Sequence, residues 1–174
     1  AALLGGLYAL TAEPIAAAQT AKINTAIGGV VPAFDNAPSA EKFTVEANGK
    51  TSTVYPATKG GEAVGYAIEA SSSAGFGGNI TLMVGFTPDG TIVGTSVISH
   101  AETPGLGAKC VEPAFSDQFK GFDPSAKKLS VKKDGGDVDA ITASTITSRA
   151  YADGLALAVK VFNAIGQTPM LLNE

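Results

Sequence analysis

Alternation of apolar and polar side chains is clearest over residues 80–86. Apolar residues occupy every second position there: Ile80, Leu82, Val84 and Phe86. A period of two is typical of a strand that buries one face. The turn residues Pro88-Asp89-Gly90 follow, and apolar residues resume over 92–98. The segment therefore predicts a β-hairpin.

Three shorter runs rich in apolar and β-branched residues precede the hairpin. They are Phe43–Ala47, Thr51–Tyr55 and Val64–Glu69. Because the connections between these runs are short, consecutive strands are expected to lie side by side in antiparallel order. The pattern predicts an antiparallel meander.

A helical pattern comes before the strands. Thr11-Ala-Glu-Pro14 combines a capping hydroxyl, an acidic residue and a proline at a position where helices tolerate it. Isoleucines then recur at helical spacing as far as Ile27. We expect a helix over 14–27 that Gly28-Gly29 ends.

The last part of the chain carries a second amphipathic pattern. Four apolar residues share one helical face: Tyr151, Leu155, Val159 and Phe162. They predict a helix from Arg149 to Ile165 that covers the sheet. Between the hairpin and this helix, we expect a short helical piece over 115–119 and a strand over 129–131. The predicted fold class is α+β, an antiparallel twisted sheet flanked by N-terminal and C-terminal helices.

Composition limits the chemistry that this fold can carry. The chain has 174 residues, 45% hydrophobic and 16% charged, which is typical of one globular domain. Its net charge of -4 argues against a nucleic acid partner, since phosphate backbones are bound by clustered Lys and Arg. Cys110 and His100 are the single Cys and the single His, which excludes an internal disulfide and a ligand set for zinc, haem or an iron-sulfur cluster. Redox chemistry would therefore need an organic cofactor.

The N-terminal run Ala1–Leu10 is apolar throughout. Ten residues are too few to cross a bilayer as a helix, which takes roughly 20. Two interpretations remain: the run is the residual end of a membrane anchor, or it is a buried first turn of the domain. We favour the anchor, which divides the chain into anchor end (1–13) and domain (14–174).

Five hydroxyl residues stand before the last predicted helix, in the segment Asp139–Ser148. Hydroxyls at a helix start commonly act as caps. The same position also favours phosphate, because its N–H groups are unpaired and the helix dipole is positive there. Arg149 would add a charge-assisted contact. Local physics leaves both interpretations open.

The run Asp139-Ala-Ile-Thr-Ala-Ser-Thr145 resembles the flavinylation signature of the FMN-binding subunits of the Rnf and Na+-pumping NADH:quinone oxidoreductase complexes. In that family a flavin transferase joins FMN through a phosphoester bond to the Thr that ends the pattern Asp-Gly-x-Ser/Thr-Gly/Ser-Ala-Thr. Thr145 holds that place here. The sequence departs from the pattern at Ala140, Ala143 and Ser144, all exchanges of one small residue for another.

A second segment, Glu102-Thr-Pro-Gly-Leu-Gly107, is similar to the glycine-rich loop of the same subunits. The resemblance spans roughly residues 64–165. It implies FMN bound covalently to Thr145, with its phosphate held by nearby hydroxyls and with the glycine-rich loop beside the isoalloxazine. The implied site residues besides Thr145 are Thr142, Ser144, Thr147, Ser148, Glu102, Thr103, Gly105, Leu106 and Gly107.

The resemblance implies an electron-transfer subunit, and in length the chain is more similar to the Rnf-type G subunits than to the C subunits of the Na+-pumping enzyme. We expect no turnover by this domain alone. The implied partners are the other membrane subunits and a flavin transferase, with the domain anchored on the extracytoplasmic side of the inner membrane. Two alternatives stay open: a cofactor-free extracytoplasmic binding module, and a non-covalent FMN-binding domain of a reductase.

Overall fold

A computed structural model describes residues 17–165. Its centre is a five-stranded antiparallel sheet in which each strand pairs with the next along the chain. The strands are β1 (Phe43–Ala47), β2 (Lys50–Lys59), β3 (Glu62–Ser72), β4 (Ile80–Phe86) and β5 (Ile92–Ser99). The predicted meander is confirmed, with β2 and β3 longer than the sequence pattern indicated.

Tight turns set the register of the sheet. Asn48 and Gly49 join β1 to β2 with φ angles of 53° and 69°. Two consecutive positive φ values are typical of the type I′ turn, whose twist matches that of the paired strands. The turn aligns Phe43 with Val54, so that Val54 points into the core.

One face of the sheet is covered by a long helix, α3 (Thr145–Ile165). The apolar side chains of β4 that were predicted to share a face all lie in this layer, together with Tyr151 and Leu155 of the helix. Ser72 of β3 also donates a hydrogen bond of 2.7 Å to the carboxylate of Asp153 in α3. The predicted amphipathic helix is therefore confirmed, but it begins at Thr145 and not at Arg149.

The other face of the sheet packs against an N-terminal helix, α1, of which residues 17–30 are described. Ile27 and Val30 are 1% exposed and contact the neighbouring core residues Ala67 and Met83. The prediction that Gly28-Gly29 ends this helix is wrong, because the helix continues through both glycines to residue 30. Burial of Val30 on the sheet offsets the low helix propensity of glycine.

The backbone of α1 approaches the sheet closely at Gly85 of β4. A Cβ atom added to Gly85 would overlap the backbone carbonyl of Val30. The paired residue on β5, Gly94, is less crowded, since its nearest neighbour would lie 3.6 Å from an added Cβ. The glycine in β4 thus allows the backbone of α1 to rest directly on the sheet.

The chain between β5 and α3 forms short helical turns around an aromatic cluster. Helix α2 (Pro113–Ser116) and a 3-10 turn (Asp117–Phe119) confirm the predicted helical piece. Phe119 stacks on Tyr151 of α3 with ring centroids 5.3 Å apart. The predicted strand over 129–131 is wrong: Val131 makes a single bridge to Val138, and a 3-10 turn follows at once.

The expected anchor end over 1–13 and the expected helix start at residue 14 lie outside the described residues. No helix within 17–165 combines the length and the hydropathy that a membrane crossing requires.

Candidate functional site

A cleft of about 340 Å³ opens beside the first turn of α3. Three separate segments line it: Phe76 from the loop between β3 and β4, the glycine-rich loop after β5, and the residues that begin α3. The lining residues are Phe76, Glu102, Thr103, Leu106, Gly107, Ala143, Ser144, Thr145, Ile146 and Thr147. Its volume lies within the range of small-molecule sites, about 300–1,000 Å³.

The start of α3 is fixed by hydrogen bonds of Ser148. Its hydroxyl accepts a bond of 2.9 Å from the N–H of Ile141 and donates one of 3.0 Å to the carbonyl of Ser144. Ala143 lies between them with a φ of 61°, in the left-handed region that favours glycine. The chain therefore turns sharply before the helix, which brings Ala143 and Ser144 to the cleft wall.

The first turn of α3 presents backbone donors to the cleft. Within the described residues, the N–H groups of Thr145, Ile146 and Thr147 have no backbone or side-chain acceptor, while Ser148 is the first to bond back, to the carbonyl of Ser144. Unpaired N–H groups at a helix start carry partial positive charge. This end of the cleft suits an anion such as phosphate.

The hydroxyl residues of the segment differ sharply in environment. Thr147 and Ser148 are 1% and 0% exposed, and both hydroxyls already form hydrogen bonds inside the protein. Ser144 is buried in the cleft wall, whereas Thr142 is exposed and lies outside the lining. Thr145 is partly exposed and lines the cleft. It is the hydroxyl of this group that combines access with a position in the cleft.

Glu102 connects the three walls of the cleft. Its carboxylate accepts a bond of 2.9 Å from the N–H of Gly77 and one of 2.5 Å from the hydroxyl of Thr147. Gly107 packs so closely that an added Cβ would lie 2.5 Å from the Thr147 hydroxyl. The glycine-rich loop thus owes its shape to contact with Glu102 and α3.

Exposed apolar side chains stand at the mouth of the cleft. Phe76, Leu106 and Ile146 are 70%, 45% and 49% exposed. Large apolar side chains at the surface commonly mark a binding site when they surround a cavity. The cleft therefore combines N–H donors with exposed apolar surface, an arrangement that suits a planar ligand with an anionic group.

Arg149 does not serve the cleft. Its guanidinium forms two bonds of 2.7 Å to Asp134, and this ion pair lowers the pKa of the Asp134 carboxyl. The contact with an anion that the sequence suggested for Arg149 is therefore replaced by an ion pair with the 3-10 turn Lys132–Asp134.

The two other residues weighed for chemistry have structural roles. His100 accepts a hydrogen bond of 3.1 Å at Nδ1 from the N–H of Glu102. Cys110 is fully buried, and burial, followed by the charge of Glu102, raises the pKa of its thiol to about 11. A buried thiol held in its neutral form is a poor nucleophile.

Seven of the ten residues predicted for the site meet in the cleft: Glu102, Thr103, Leu106, Gly107, Ser144, Thr145 and Thr147. Thr142, Gly105 and Ser148 lie outside its lining. Sequence reasoning missed Phe76, Ala143 and Ile146 as lining residues. An exposed aromatic beside a glycine pair, Phe76-Gly-Gly78, was the available signal for the first of them.

Comparison with known proteins identifies related chains. Residues 75–160, which include every lining residue of the cleft, match the family described as FMN-binding domain. The G subunit of the proton-translocating ferredoxin:NAD(+) oxidoreductase complex of Clostridium ljungdahlii is 37% identical over 161 residues, covering 91% of this chain and 81% of that protein. The Na(+)-translocating counterpart of Acetobacterium woodii is 34% identical, covering 79% and 68%.

A third relative matches a shorter part of this chain at a higher sequence identity. The G subunit of the ion-translocating oxidoreductase complex of Shewanella piezotolerans is 43% identical over 115 residues, which are 63% of this chain and 54% of that protein. The matched region thus spans about half the length of that relative.

Solved structures share the fold. NqrC of Shewanella oneidensis superposes with a TM-score of 0.55 at 21% identity, covering 79% of this chain and 70% of that one. The C subunit of the Na(+)-translocating NADH-quinone reductase of Parabacteroides distasonis gives a TM-score of 0.50 at 23% identity, covering 79% and 76%. These likenesses confirm the α+β fold class.

Proposed function

The chain belongs to the FMN-binding domain family, among the G subunits of ion-translocating oxidoreductase complexes, and on this premise we propose that it carries FMN on Thr145. The FMN phosphate would be joined to the Thr145 hydroxyl as a phosphoester. The domain would serve as an electron-transfer subunit of a membrane-bound, ion-translocating complex of the Rnf type.

The observation that carries the proposal is the position of Thr145. Among the hydroxyls of segment 139–148, it is the one that is accessible and lines the cleft, and it occupies the first position of α3, beside N–H groups that lack acceptors within the described residues. A phosphate on Thr145 would accept hydrogen bonds from the N–H groups of Ile146 and Thr147. Thr142 and Ser144 flank this position, while Ser148 shapes it by holding the preceding turn.

The remainder of the cleft fits a flavin ring. Leu106 and Phe76 offer apolar surface, and Gly107 lets the glycine-rich loop pack directly against Glu102 and Thr147. Thr103 lines the same wall and Gly105, with a φ of 75°, forms the turn next to it. Flavins exchange electrons themselves, so the protein needs only to bind, orient and partly expose the ring. No substrate turnover is expected from the domain alone.

A covalent tether has a physical advantage at this site. The cleft is open and its apolar rim is exposed, so a ligand held by the cleft alone would dissociate readily. A phosphoester bond retains the cofactor while one edge stays accessible to redox partners. The proposed partners are the other subunits of the complex and the flavin transferase that forms the bond, with the domain on the extracytoplasmic side of the inner membrane.

Intact-mass analysis of the chain co-expressed with a flavin transferase tests the proposal. The expected mass gain is one FMN less one water, and the yellow colour should remain with the chain after denaturation. Thr145→Ala should lose both signals and stay folded. Thr44→Ala is the control, since Thr44 is exposed on β1 and lies outside both the signature and the cleft lining, and it should keep both.

The same experiment separates the alternatives. Colour that leaves the wild-type chain on denaturation, with an unchanged mass, would indicate a non-covalent FMN-binding domain. A chain that remains colourless beside an active transferase would favour a cofactor-free binding module. Covalent FMN on Thr145→Ala would place the bond on a different residue.

A further inference from the structure

Glu102 lies in a loop, yet its side chain is almost completely enclosed by neighbouring residues. The residue is 5% exposed, and both of its carboxylate oxygens accept hydrogen bonds, one from Gly77 and one from Thr147. Two glycines close the space around it. A Cβ on Gly75 would lie 2.6 Å from Oε1, and a Cβ on Gly107 would overlap Oε2. The backbone is thus built around this carboxylate at the wall of the cleft.

No cation balances this charge within the described residues. The ion pairs there join Lys120 to Asp117, Lys132 to Asp139 and Arg149 to Asp134, all at exposed or half-buried positions. The two groups that face the Glu102 oxygens are a backbone N–H and a hydroxyl, and both are neutral. A buried carboxylate without a cation keeps a strong field around it, because neither water nor a counter-charge screens it.

The charge of Glu102 acts on a neighbouring ionisable group, the thiol of Cys110. Cys110 is buried near the cleft, and burial, followed by the charge of Glu102, raises the pKa of its thiol. The field of the carboxylate therefore opposes the formation of a second negative charge in this part of the protein.

We propose that Glu102 is a positioning residue whose unbalanced charge lowers the reduction potential of the flavin held in this cleft. The inference rests on the proposed function, since it concerns FMN attached at Thr145. Glu102 acts in two ways: it joins the three walls, and it makes the cleft unfavourable for added negative charge. Reduction adds electrons to the flavin, so a fixed negative charge beside it shifts the equilibrium toward the oxidised form.

A redox titration of covalently loaded protein tests this charge. Dithionite supplies the electrons and is oxidised, indicator dyes report the midpoint potential, and intact mass confirms that each variant carries FMN. Glu102→Gln keeps the size of the side chain and removes its charge, so its midpoint potential should rise. Glu102→Asp keeps the charge, so its midpoint potential should not rise. Glu46→Gln is the control: it removes an exposed carboxylate from the edge strand β1 and should leave the midpoint potential unchanged.

Thr147→Val provides a test that does not depend on Glu102→Gln accepting the cofactor. Valine preserves the shape of the buried Thr147 but removes the donor to Glu102, so the charge is less compensated and the potential should fall. A wild-type potential in loaded Glu102→Gln, or a rise in Thr147→Val, would overturn the inference. Neither result would affect the proposed function, which instead fails if the wild-type chain gains no FMN mass.

Discussion

Ser148 and Ile141 are joined by a hydrogen bond of 2.9 Å from the backbone N–H of Ile141 to the Ser148 hydroxyl, which closes the turn before α3. Ser148 is fully buried, and Ile141 is 8% exposed. The position of the cleft wall therefore depends on a side chain that does not itself line the cleft.

Ser148→Ala should destabilise the protein and impair the site. The substitution leaves the N–H of Ile141 without an acceptor in a buried setting, which costs about 1–3 kcal/mol. Urea unfolding should show this loss, and the proposed attachment of FMN to Thr145 should slow because the turn before Thr145 is less ordered. Thr142→Ala, at an exposed position of the same segment, should change stability by less than about 0.5 kcal/mol. Equal losses in the two variants would contradict the assigned role of Ser148.

Ala143→Gly should stabilise the protein. Ala143 has a φ of 61°, and left-handed backbone costs about 1–2 kcal/mol for a residue with a Cβ. Part of this gain is lost to the greater freedom of glycine in the unfolded chain, so the net increase should be about 0.5–1 kcal/mol. Ala143→Val should be destabilising, because β-branched residues tolerate this conformation least. Thermal unfolding of the two variants measures both effects. A lower stability of Ala143→Gly, with no loss of stability in Ala143→Val, would disprove the strain.

Gly85→Ala should weaken the contact between α1 and the sheet, whereas Gly94→Ala should be tolerated. The two glycines pair across β4 and β5, but only at Gly85 would a Cβ overlap the Val30 carbonyl. The overlap should cost about 1–3 kcal/mol, as for other overpacked sites. At Gly94 the nearest atoms are at ordinary contact distance, and a change within about 1 kcal/mol is expected. Urea unfolding measures the stability of both variants. Equal losses of stability would contradict the close contact between Gly85 and Val30.

Tyr55 should make stability fall at alkaline pH. Burial, followed by the charge and hydrogen bond of Glu69, raises the pKa of Tyr55 to about 12 from its ordinary 10.0. The folded state therefore favours the neutral phenol, so this contribution is complete below pH 10 and is lost as the pH rises toward 12. Tyr55→Phe removes this contribution, so its free energy of unfolding should decline less between about pH 10 and 12. If the free energy of unfolding of Tyr55→Phe had the same pH dependence as that of the wild type, this would argue against the raised pKa of Tyr55.

Much of the fold follows from local patterns that the tertiary structure leaves intact. The alternation over 80–86 marks β4 because one face of that strand meets α3 in the finished core. Sequence patterns led to wrong predictions where tertiary packing overrides the local conformational preference of the residues. Gly28-Gly29 continue α1 because Val30 is buried on the sheet, and the apolar residues near Val131 are covered by loop packing without strand pairing.

The lining of the cleft was predictable where its residues are contiguous in sequence. The segments around Glu102 and Thr145 were identified, and the cleft brings them together. The first turn of α3 was missed, since β-branched Thr145 and Thr147 have modest helix propensity and their helical conformation depends on Ser148. The position of Phe76 was not apparent because its contact with the cleft arises from the path of the β3–β4 loop.

Helix α3 connects the cleft mechanically to the opposite end of the sheet. Phe162 stacks on Phe86 with ring centroids 4.9 Å apart and meets Tyr66 edge to face at 6.0 Å. These rings lie roughly 25 Å along the helix axis from Thr145, at 1.5 Å per residue. The helix is held at both ends, by these rings and by the hydrogen bond from Thr147 to Glu102 beside the cleft. A change at the aromatic end would therefore reach Thr145 only against the contacts that hold the first turn.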